Sequence, residues 1–262
     1  MAIIANSLTK ADVTLQKQFL SDIEIADLQT IIGDVSWVTS HTRPDALFAN
    51  NMVARYPIQP TKYDMKRALR VAHYLIGTMD LRLCIGGMGG VQMFATVDTS
   101  YATHADLKSH SMWTLHLGTG GAFISRTKKH SIMTDSSTYA ELVGAHLSIR
   151  DIQWARNFLK EIGYKNLKPT LLLIDNQSTL KIIAKQHHAG KTKHVDIRYK
   201  MITEKVTNGE IVCEHLPTHI MISDIGTKAL APKVFIALRP YLLGHETLPI
   251  ILERLGIPLI KR

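Results

Sequence analysis

Hydrophobic residues recur at helical spacing in the first 90 residues of the chain. One stripe consists of Ile25, Leu28, Ile32 and Val35, and a clearer stripe runs from Met65 to Ile76. Thr61 and Asp64 have the spacing of a capping box before the second stripe, and Gly77 is placed to end it. This pattern predicts a small helical region over residues 1–90, which closes with the glycine-rich stretch at 86–90.

After the glycine-rich stretch the pattern changes to short apolar or alternating segments. Strands are predicted over residues 91–97, 111–117, 121–130, 170–175 and 210–216. Helices are predicted over about 136–162, 178–185 and 196–206, with helical residues again from about 220. Three strands followed by alternating helices and strands predict an α/β fold, in which helices flank a mixed sheet.

Four acidic residues lie at the ends of these predicted elements. Asp98 ends the first strand, Glu141 lies in the first turns of the long helix, Asp175 ends the fourth strand and Asp224 opens the last helical stretch. Each one alone is explained by a turn, a helix cap or a solvated position. Gathered in the crevice beyond the strand ends, they would repel one another unless cations neutralised them. Oxygen-only sites of this kind suit Mg²⁺, and two such ions about 4 Å apart promote phosphodiester cleavage.

The charge balance favours a polyanionic partner. The 262 residues include 31 Lys and Arg against 22 Asp and Glu, a formal charge of +9. No apolar run is long enough to cross a bilayer, so no membrane partner is expected. Cys84 and Cys213 have neither disulfide nor metal spacing, which favours a reducing, intracellular setting in the cytoplasm or nucleus.

Other residues are weaker candidates for function. A basic run that includes Lys191, Lys193, His194 and Arg198 is either a solvated loop before a helix or a contact for nucleic-acid phosphates. A second basic candidate consists of Arg126, Lys128 and Lys129. His219 is a candidate for proton transfer near Asp224. The tryptophans Trp37, Trp113 and Trp154 are predicted to lie in the core or at domain contacts.

Seven segments, taken in order, resemble the C-terminal part of the Pol polyprotein of copia-type LTR retrotransposons. They lie at residues 28–45, 66–78, 97–102, 136–141, 175–178, 191–198 and 223–230, and include the strings TRPD, SSTYAE, DNQS and SDIGTK. One match alone is weak, but seven in the same order are specific. Ser100 and Tyr139 depart from the family pattern, which has acidic residues at these two positions, and neither is assigned to metal.

The resemblance implies a ribonuclease H-like fold over 91–230, a helical remnant of the reverse transcriptase before it and a tail over 231–262. It implies Mg²⁺-dependent hydrolysis of the RNA strand of an RNA–DNA hybrid with two ions, and Mn²⁺ as a substitute. Asp98 and Asp175 would then be the central metal ligands, Glu141 would bind one ion near the ribose 2′-hydroxyl, and Asp224 would complete the second ion's shell. The rest of a reverse transcriptase would be a partner, in a virus-like particle where the element is active. No polymerase motif is found, so no polymerase activity is expected.

Two other functions remain open from the sequence. The same fold could bind nucleic acid without cleaving it, as an inactive remnant of a retrotransposon Pol protein. A DNA-cutting integrase or transposase is the other alternative, although such enzymes usually use three acids.

Overall fold

Nine α-helices and five β-strands form the described part of the chain. The computed structural model describes residues 9–55, 58–185 and 193–257. The helices are α1 (Lys10–Leu15), α2 (Asp22–His41), α3 (Leu47–Val53), α4 (Lys62–Ile76), α5 (Ser137–Glu161), α6 (Gln177–Ala184), α7 (Lys193–Thr207), α8 (Pro232–Leu243) and α9 (Pro249–Leu255). The strands are β1 (Met93–Ser100), β2 (His110–Leu117), β3 (Ala122–Lys129), β4 (Thr170–Ile174) and β5 (Ile211–His215). Short 3₁₀ turns are formed by Pro44–Ala46, Thr218–Ile220 and Ile222–Gly226.

The strands form one mixed sheet in the order β3-β2-β1-β4-β5. The first three strands pair antiparallel, as expected for a meander with short connections, whereas β4 and β5 run parallel to β1. Parallel neighbours need crossover connections: α5 lies on the path from β1 to β4, and α6 and α7 connect β4 to β5. The predicted α/β class, with a mixed five-stranded sheet flanked by helices, is confirmed.

Helices cover both faces of this sheet. One face packs against α5, α6 and α7, and its buried residues include Ala95, Val97, Leu115, Ile149, Ile152, Leu172 and Ile202. The other face packs against the chain that follows β5, and its buried residues include Phe94, Met112, Leu173, Ile222, Leu238, Leu242 and Ile251. Each face therefore excludes water over a continuous apolar layer, which is the main source of stability for such a sheet.

Residues 232–255, which the sequence placed in a tail, supply much of the second layer. Leu238 and Leu242 of α8 and Ile251 of α9 are almost fully buried against the sheet. The proposed boundaries at 90 and 230 remain predictions, but the segment after residue 231 is part of the folded core of the sheet. Within the described residues, no helix is both long and apolar enough to cross a bilayer.

The helices before the sheet have a core of their own. Leu28, Val35, Ala49, Ala68 and Val71 are buried in it. The predicted capping box at the start of α4 is present, since Thr61 and Asp64 bond reciprocally, and Gly77 ends the helix. Both features confirm the helix ends predicted from the sequence.

A buried polar cluster ties these helices to α8. The Arg43 guanidinium donates two hydrogen bonds to the Asp45 carboxylate, at 2.9 and 2.8 Å. The Tyr74 hydroxyl donates to the same carboxylate at 2.5 Å and accepts from Arg239 of α8 at 3.1 Å. The TRPD string at 42–45 therefore has a structural role, because its Arg and Asp form the centre of this cluster.

Candidate metal and catalytic site

Asp98 and Asp175 meet because β1 and β4 are parallel and in register. Val97 lies opposite Ile174, so the residues that follow the two partners reach the same edge of the sheet. Asp175 follows β4 directly, as predicted. Asp98, by contrast, does not end β1, because Thr99 and Ser100 still pair with Ser111 and His110 of β2. The strand predicted from the sequence ended too early, because Thr99 and Ser100 are polar and do not continue the apolar pattern.

Glu141 reaches the same edge from the first turns of α5. Its Oε1 accepts a hydrogen bond of 3.0 Å from the Thr99 backbone N–H. Close approach of α5 to β1 requires Gly144, because a Cβ at that position would lie 2.5 Å from the Thr99 hydroxyl and 2.8 Å from the Ser111 hydroxyl. A glycine one turn after Glu141 thus allows the carboxylate to meet the strand.

Asp224 lies in the 3₁₀ turn Ile222–Gly226, which packs beneath β1 and β2. The preceding Ser223 hydroxyl hydrogen-bonds with Thr96 of β1, and both side chains are fully buried. The Asp224 carboxylate pairs with the Lys228 ammonium at 2.8 Å. The turn therefore holds Asp224 beside Asp98.

Three of the four predicted acids form a compact group. Asp98, Glu141 and Asp175 each offer a carboxylate oxygen, and these atoms all lie within 4.8 Å of one another. Asp224 is outside this threefold group but interacts electrostatically with Asp98. Three residues that are distant in the chain thus come together at one place, and Asp224 lies beside Asp98.

Burial and mutual repulsion raise the pKa of Glu141, Asp175 and Asp224. Desolvation is the larger cause for Glu141, whose pKa lies well above its ordinary value, followed by the charges of Asp98 and Asp175. Desolvation and the nearby Asp98 also raise the pKa of Asp175. The pKa of Asp224 is raised for the same reasons, although Lys228 opposes this rise. Without a cation, the site is therefore electrostatically unfavourable when all its carboxyls are ionised.

The residues present fit a hard divalent cation. The donor set consists only of oxygen, which such ions prefer. Glu141 is 4% exposed, and its buried Oε2 has no hydrogen-bond partner among the described residues. A buried carboxylate oxygen without a donor is costly, and a bound cation would satisfy it.

Hydroxyl groups hold two of these carboxylates in place. The buried Thr227 hydroxyl donates to Asp98 Oδ2 at 2.5 Å, and the Thr218 hydroxyl donates to Asp175 Oδ2 at 2.9 Å. Sequence reasoning missed both threonines. Thr227 and Lys228 lie within the SDIGTK string, so the motif contained a signal for them, whereas nothing in the sequence marks Thr218.

The other predicted site residues have different outcomes. Arg198 lies in α7 and donates a hydrogen bond of 3.0 Å to the Tyr139 hydroxyl, two residues before Glu141. Lys191 lies outside the described residues, as do the side chains of Lys193 and His194 in the first turn of α7. His219 is exposed and follows Thr218, whose hydroxyl bonds Asp175.

Two of the three tryptophans are not core residues. Trp113 is 5% exposed and lies in the core as predicted, whereas Trp37 and Trp154 are 64% and 58% exposed. The prediction was wrong for these two because aromatic character alone does not distinguish a buried helix face from a free one.

The fold is a mixed five-stranded α/β sheet, and the carboxylate group lies near the C-terminal ends of β1 and β4. The sequence is homologous to the Pol polyproteins of plant copia-type transposons. It is 28% identical over 204 residues to the Pol polyprotein from transposon TNT 1-94 of Nicotiana tabacum, covering 78% of this chain and 15% of that protein. It is 26% identical over 206 residues to the Pol polyprotein from transposon RE1 of Arabidopsis thaliana, covering 78% of this chain and 14% of that protein. The resemblance noted in the sequence is confirmed.

The match thus spans about one seventh of the length of these relatives. No protein-family model matches the chain. Among solved structures, LC11-RNase H1 in complex with RNA/DNA hybrid superposes on 50% of this chain and 88% of its own, with a TM-score of 0.37 and 11% identity.

Proposed function

We propose that this chain is a ribonuclease that hydrolyses the RNA strand of an RNA–DNA hybrid with divalent cations, Mg²⁺ by preference. The observation that carries the proposal is the group of three carboxylate oxygens within 4.8 Å, which come from one residue in β1, one directly after β4 and one in α5. The similarity to retrovirus-related Pol polyproteins from transposons supports a nucleic acid as the substrate.

Asp98, Glu141 and Asp175 would hold the cations, and Asp224 would add a further carboxylate beside Asp98. Divalent ions bound there would activate water and stabilise the leaving oxygen of a phosphodiester. The chain's own contribution is to fix the carboxylates before the substrate arrives. Thr227 orients Asp98, the Thr99 N–H orients Glu141, and Thr218 orients Asp175. Such supporting hydrogen bonds keep ligands in position and reduce reorganisation during the reaction.

Lys228 moderates the charge of the site. Its ammonium is 2.8 Å from Asp224 and also experiences the fields of Asp98 and Asp175, which help to raise the pKa of the lysine. Lys228 therefore stays protonated and favours the ionised form of Asp224, which is the form that binds a cation.

Recognition of the hybrid would use the basic side of the site. Arg198 is anchored to Tyr139 near the N-terminus of α5, where its guanidinium can meet a phosphate. Lys191, Lys193 and His194 remain proposed phosphate contacts, and His219 a proposed proton-transfer group. Selection of RNA would depend on its 2′-hydroxyl near Glu141, since that group distinguishes the two nucleic acids.

The test is cleavage of a hybrid with a labelled RNA strand, compared with duplex DNA and with the Asp175→Asn variant. We expect the wild type to release RNA fragments with 3′-hydroxyl and 5′-phosphate ends when Mg²⁺ is present, and the variant to bind the hybrid without cutting it. Binding without cleavage by the wild type would identify an inactive remnant instead. Cutting of duplex DNA by the wild type and by Asp224→Asn would favour an enzyme of the integrase type.

A further inference from the structure

A groove of about 490 Å³ lies between the edge strand β3 and the long helix α5. One wall consists of helix residues that share a face at helical spacing, and the other of strand residues, with Trp113 of β2 between them. Its lining residues are Trp113, Arg126, Thr127, Lys128, Leu147, Arg150, Asp151 and Trp154. The sequence had marked Arg126 and Lys128 as a basic candidate, and no role in the carboxylate site uses them.

The groove carries excess positive charge. Its one acid, Asp151, accepts a hydrogen bond of 2.7 Å from the Trp113 indole and lies 3.9 Å from Arg126. The Arg126 side chain is still 61% exposed. Lys128 and Arg150 are exposed too, and among the described residues no carboxylate pairs with either. Three cations thus face solvent around one acid that is already engaged.

An exposed aromatic surface adjoins these cations. Trp154 is 58% exposed and stacks on Phe158, one turn further along α5, with ring centroids 5.6 Å apart and planes 7° apart. Phe158 is itself 47% exposed. Two parallel rings beside basic side chains form the combination that binds single-stranded nucleic acid, because each base can stack while its phosphate meets a cation.

The groove is separate from the carboxylate site but shares its helix. Arg150 and Trp154 follow Glu141 by nine and thirteen residues on α5, so they lie roughly 13 and 20 Å from it along the helix axis. Lys128 is nearer, because it pairs with Ser111 of β2, which in turn pairs with Thr99. A strand that continues from a duplex at the carboxylates could therefore reach the groove.

We propose that this groove binds a single-stranded segment of nucleic acid, with bases on Trp154 and Phe158 and phosphates on Arg126, Lys128 and Arg150. The continuity of this segment with a hybrid rests on the function proposed above. The binding of single strands itself does not, and can be measured without it.

The direct experiment measures fluorescence anisotropy of a labelled oligonucleotide of about 10 nucleotides, RNA or DNA, in EDTA so that no cleavage occurs. Trp154→Ala should weaken binding by roughly 5- to 150-fold, the effect of one lost stacked base. A Lys128→Glu, Arg150→Glu double variant should reduce the slope of log affinity against log salt by about 0.7 for each lost phosphate contact.

Matched controls exist outside the groove. Trp37→Ala removes a tryptophan of similar exposure on α2, and Lys160→Glu reverses a charge on α5 outside the groove lining. Both should bind the oligonucleotide as the wild type does. Unfolding temperatures of all variants check that the fold is kept.

Retained oligonucleotide binding by Trp154→Ala and by the double variant overturns the proposal, as does an absence of binding by the wild type. The groove would then be assigned to an acidic protein partner. The wild type should also bind a hybrid with a single-stranded extension more tightly than a blunt one, and Trp154→Ala should lose this preference. If single strands bind through the groove but no hybrid is cut, only the proposed ribonuclease function fails.

Discussion

The buried hydroxyl of Thr227 donates a hydrogen bond of 2.5 Å to Oδ2 of Asp98. The two residues are 129 positions apart in the chain, and Thr227 is 1% exposed. The bond joins the turn that carries Asp224 to the strand that carries Asp98. It fixes the orientation of the Asp98 carboxylate, whose remaining oxygen is then directed by the protein rather than by solvent.

Replacing Thr227 by valine should weaken the site without unfolding the protein. Valine has a similar shape but cannot donate, so Asp98 would lose its supporting bond. We expect the affinity for Mn²⁺ and the rate of hybrid cleavage to fall by roughly 10- to 100-fold. Thr227→Ser keeps the hydroxyl and should keep most of both. A valine variant with wild-type metal affinity would show that the bond does not position Asp98.

Glu141→Gln should stabilise the metal-free protein. The pKa of Glu141 is raised by burial and by neighbouring carboxylates, so ionisation costs more in the folded than in the unfolded chain. Wild-type stability is consequently lost as the pH rises from the ordinary glutamate range through the raised pKa. Glutamine carries no charge and can still accept from Thr99. In EDTA at neutral pH, we expect denaturant unfolding to give the variant a higher free energy of unfolding than the wild type. Equal or lower stability would contradict the electrostatic account of the site.

Buried histidines should make the fold sensitive to acid. His116 is fully buried, stacks on Phe94 and hydrogen-bonds to the Thr114 hydroxyl and the Gly120 carbonyl. Desolvation lowers the pKa of His116 to about 4, so the folded protein holds it neutral. The stability that neutral His116 contributes is complete above about pH 6.5, the pKa of histidine in the unfolded chain. This stability is lost as the pH falls towards 4.

Acidification from pH 7.5 to 5 should therefore lower the free energy of unfolding of the wild type by roughly 2 kcal/mol more than that of His116→Gln. Comparing the two proteins cancels the opposite contribution of Glu141, Asp175 and Asp224, which is common to both. Urea denaturation at the two pH values gives the four free energies required. Equal losses in the two proteins would mean that His116 is not held neutral.

Asp45→Asn should be strongly destabilising. The Arg43–Asp45 pair is buried, with side-chain exposures of 6% and 0%, and loss of the acid leaves the guanidinium without its counter-charge. We expect the free energy of unfolding to fall by about 3–5 kcal/mol. Asp106→Asn is the control, because Asp106 pairs with Lys129 at the surface and should have little effect. A small effect at Asp45 would show that the cluster between the first helices and α8 is dispensable.

The sequence predicted the sheet because its signals are local. Apolar runs mark β4 and the core of β1, and Asp175 and Asp98 directly follow these runs. Asp98 and Asp175 converge because β1 and β4 pair in parallel. A long helix before β4 is the connection expected for a strand that returns parallel to an earlier one. The domain boundaries and the roles of Lys191, Lys193, His194 and His219 stay predictions.

Long-range contacts account for what the sequence did not predict. Nothing local marks the hydroxyl of Thr218 as a partner of Asp175, since the bond exists only once β5 lies beside β4. Similarly, the sequences of α8 and α9 do not indicate that these helices pack against a face of the sheet. The exposure of Trp154 depends on which side of α5 faces the sheet, which the sequence alone does not specify.

If carboxylates from distant segments bind a divalent cation, thermal unfolding during a Mg²⁺ titration should detect the binding. A ligand that binds only the folded chain raises its stability with concentration. We predict that the unfolding temperature of the wild type rises with Mg²⁺, and that the rise is largely lost in Asp98→Asn. An equal rise in both proteins, or none in the wild type, would contradict the claim.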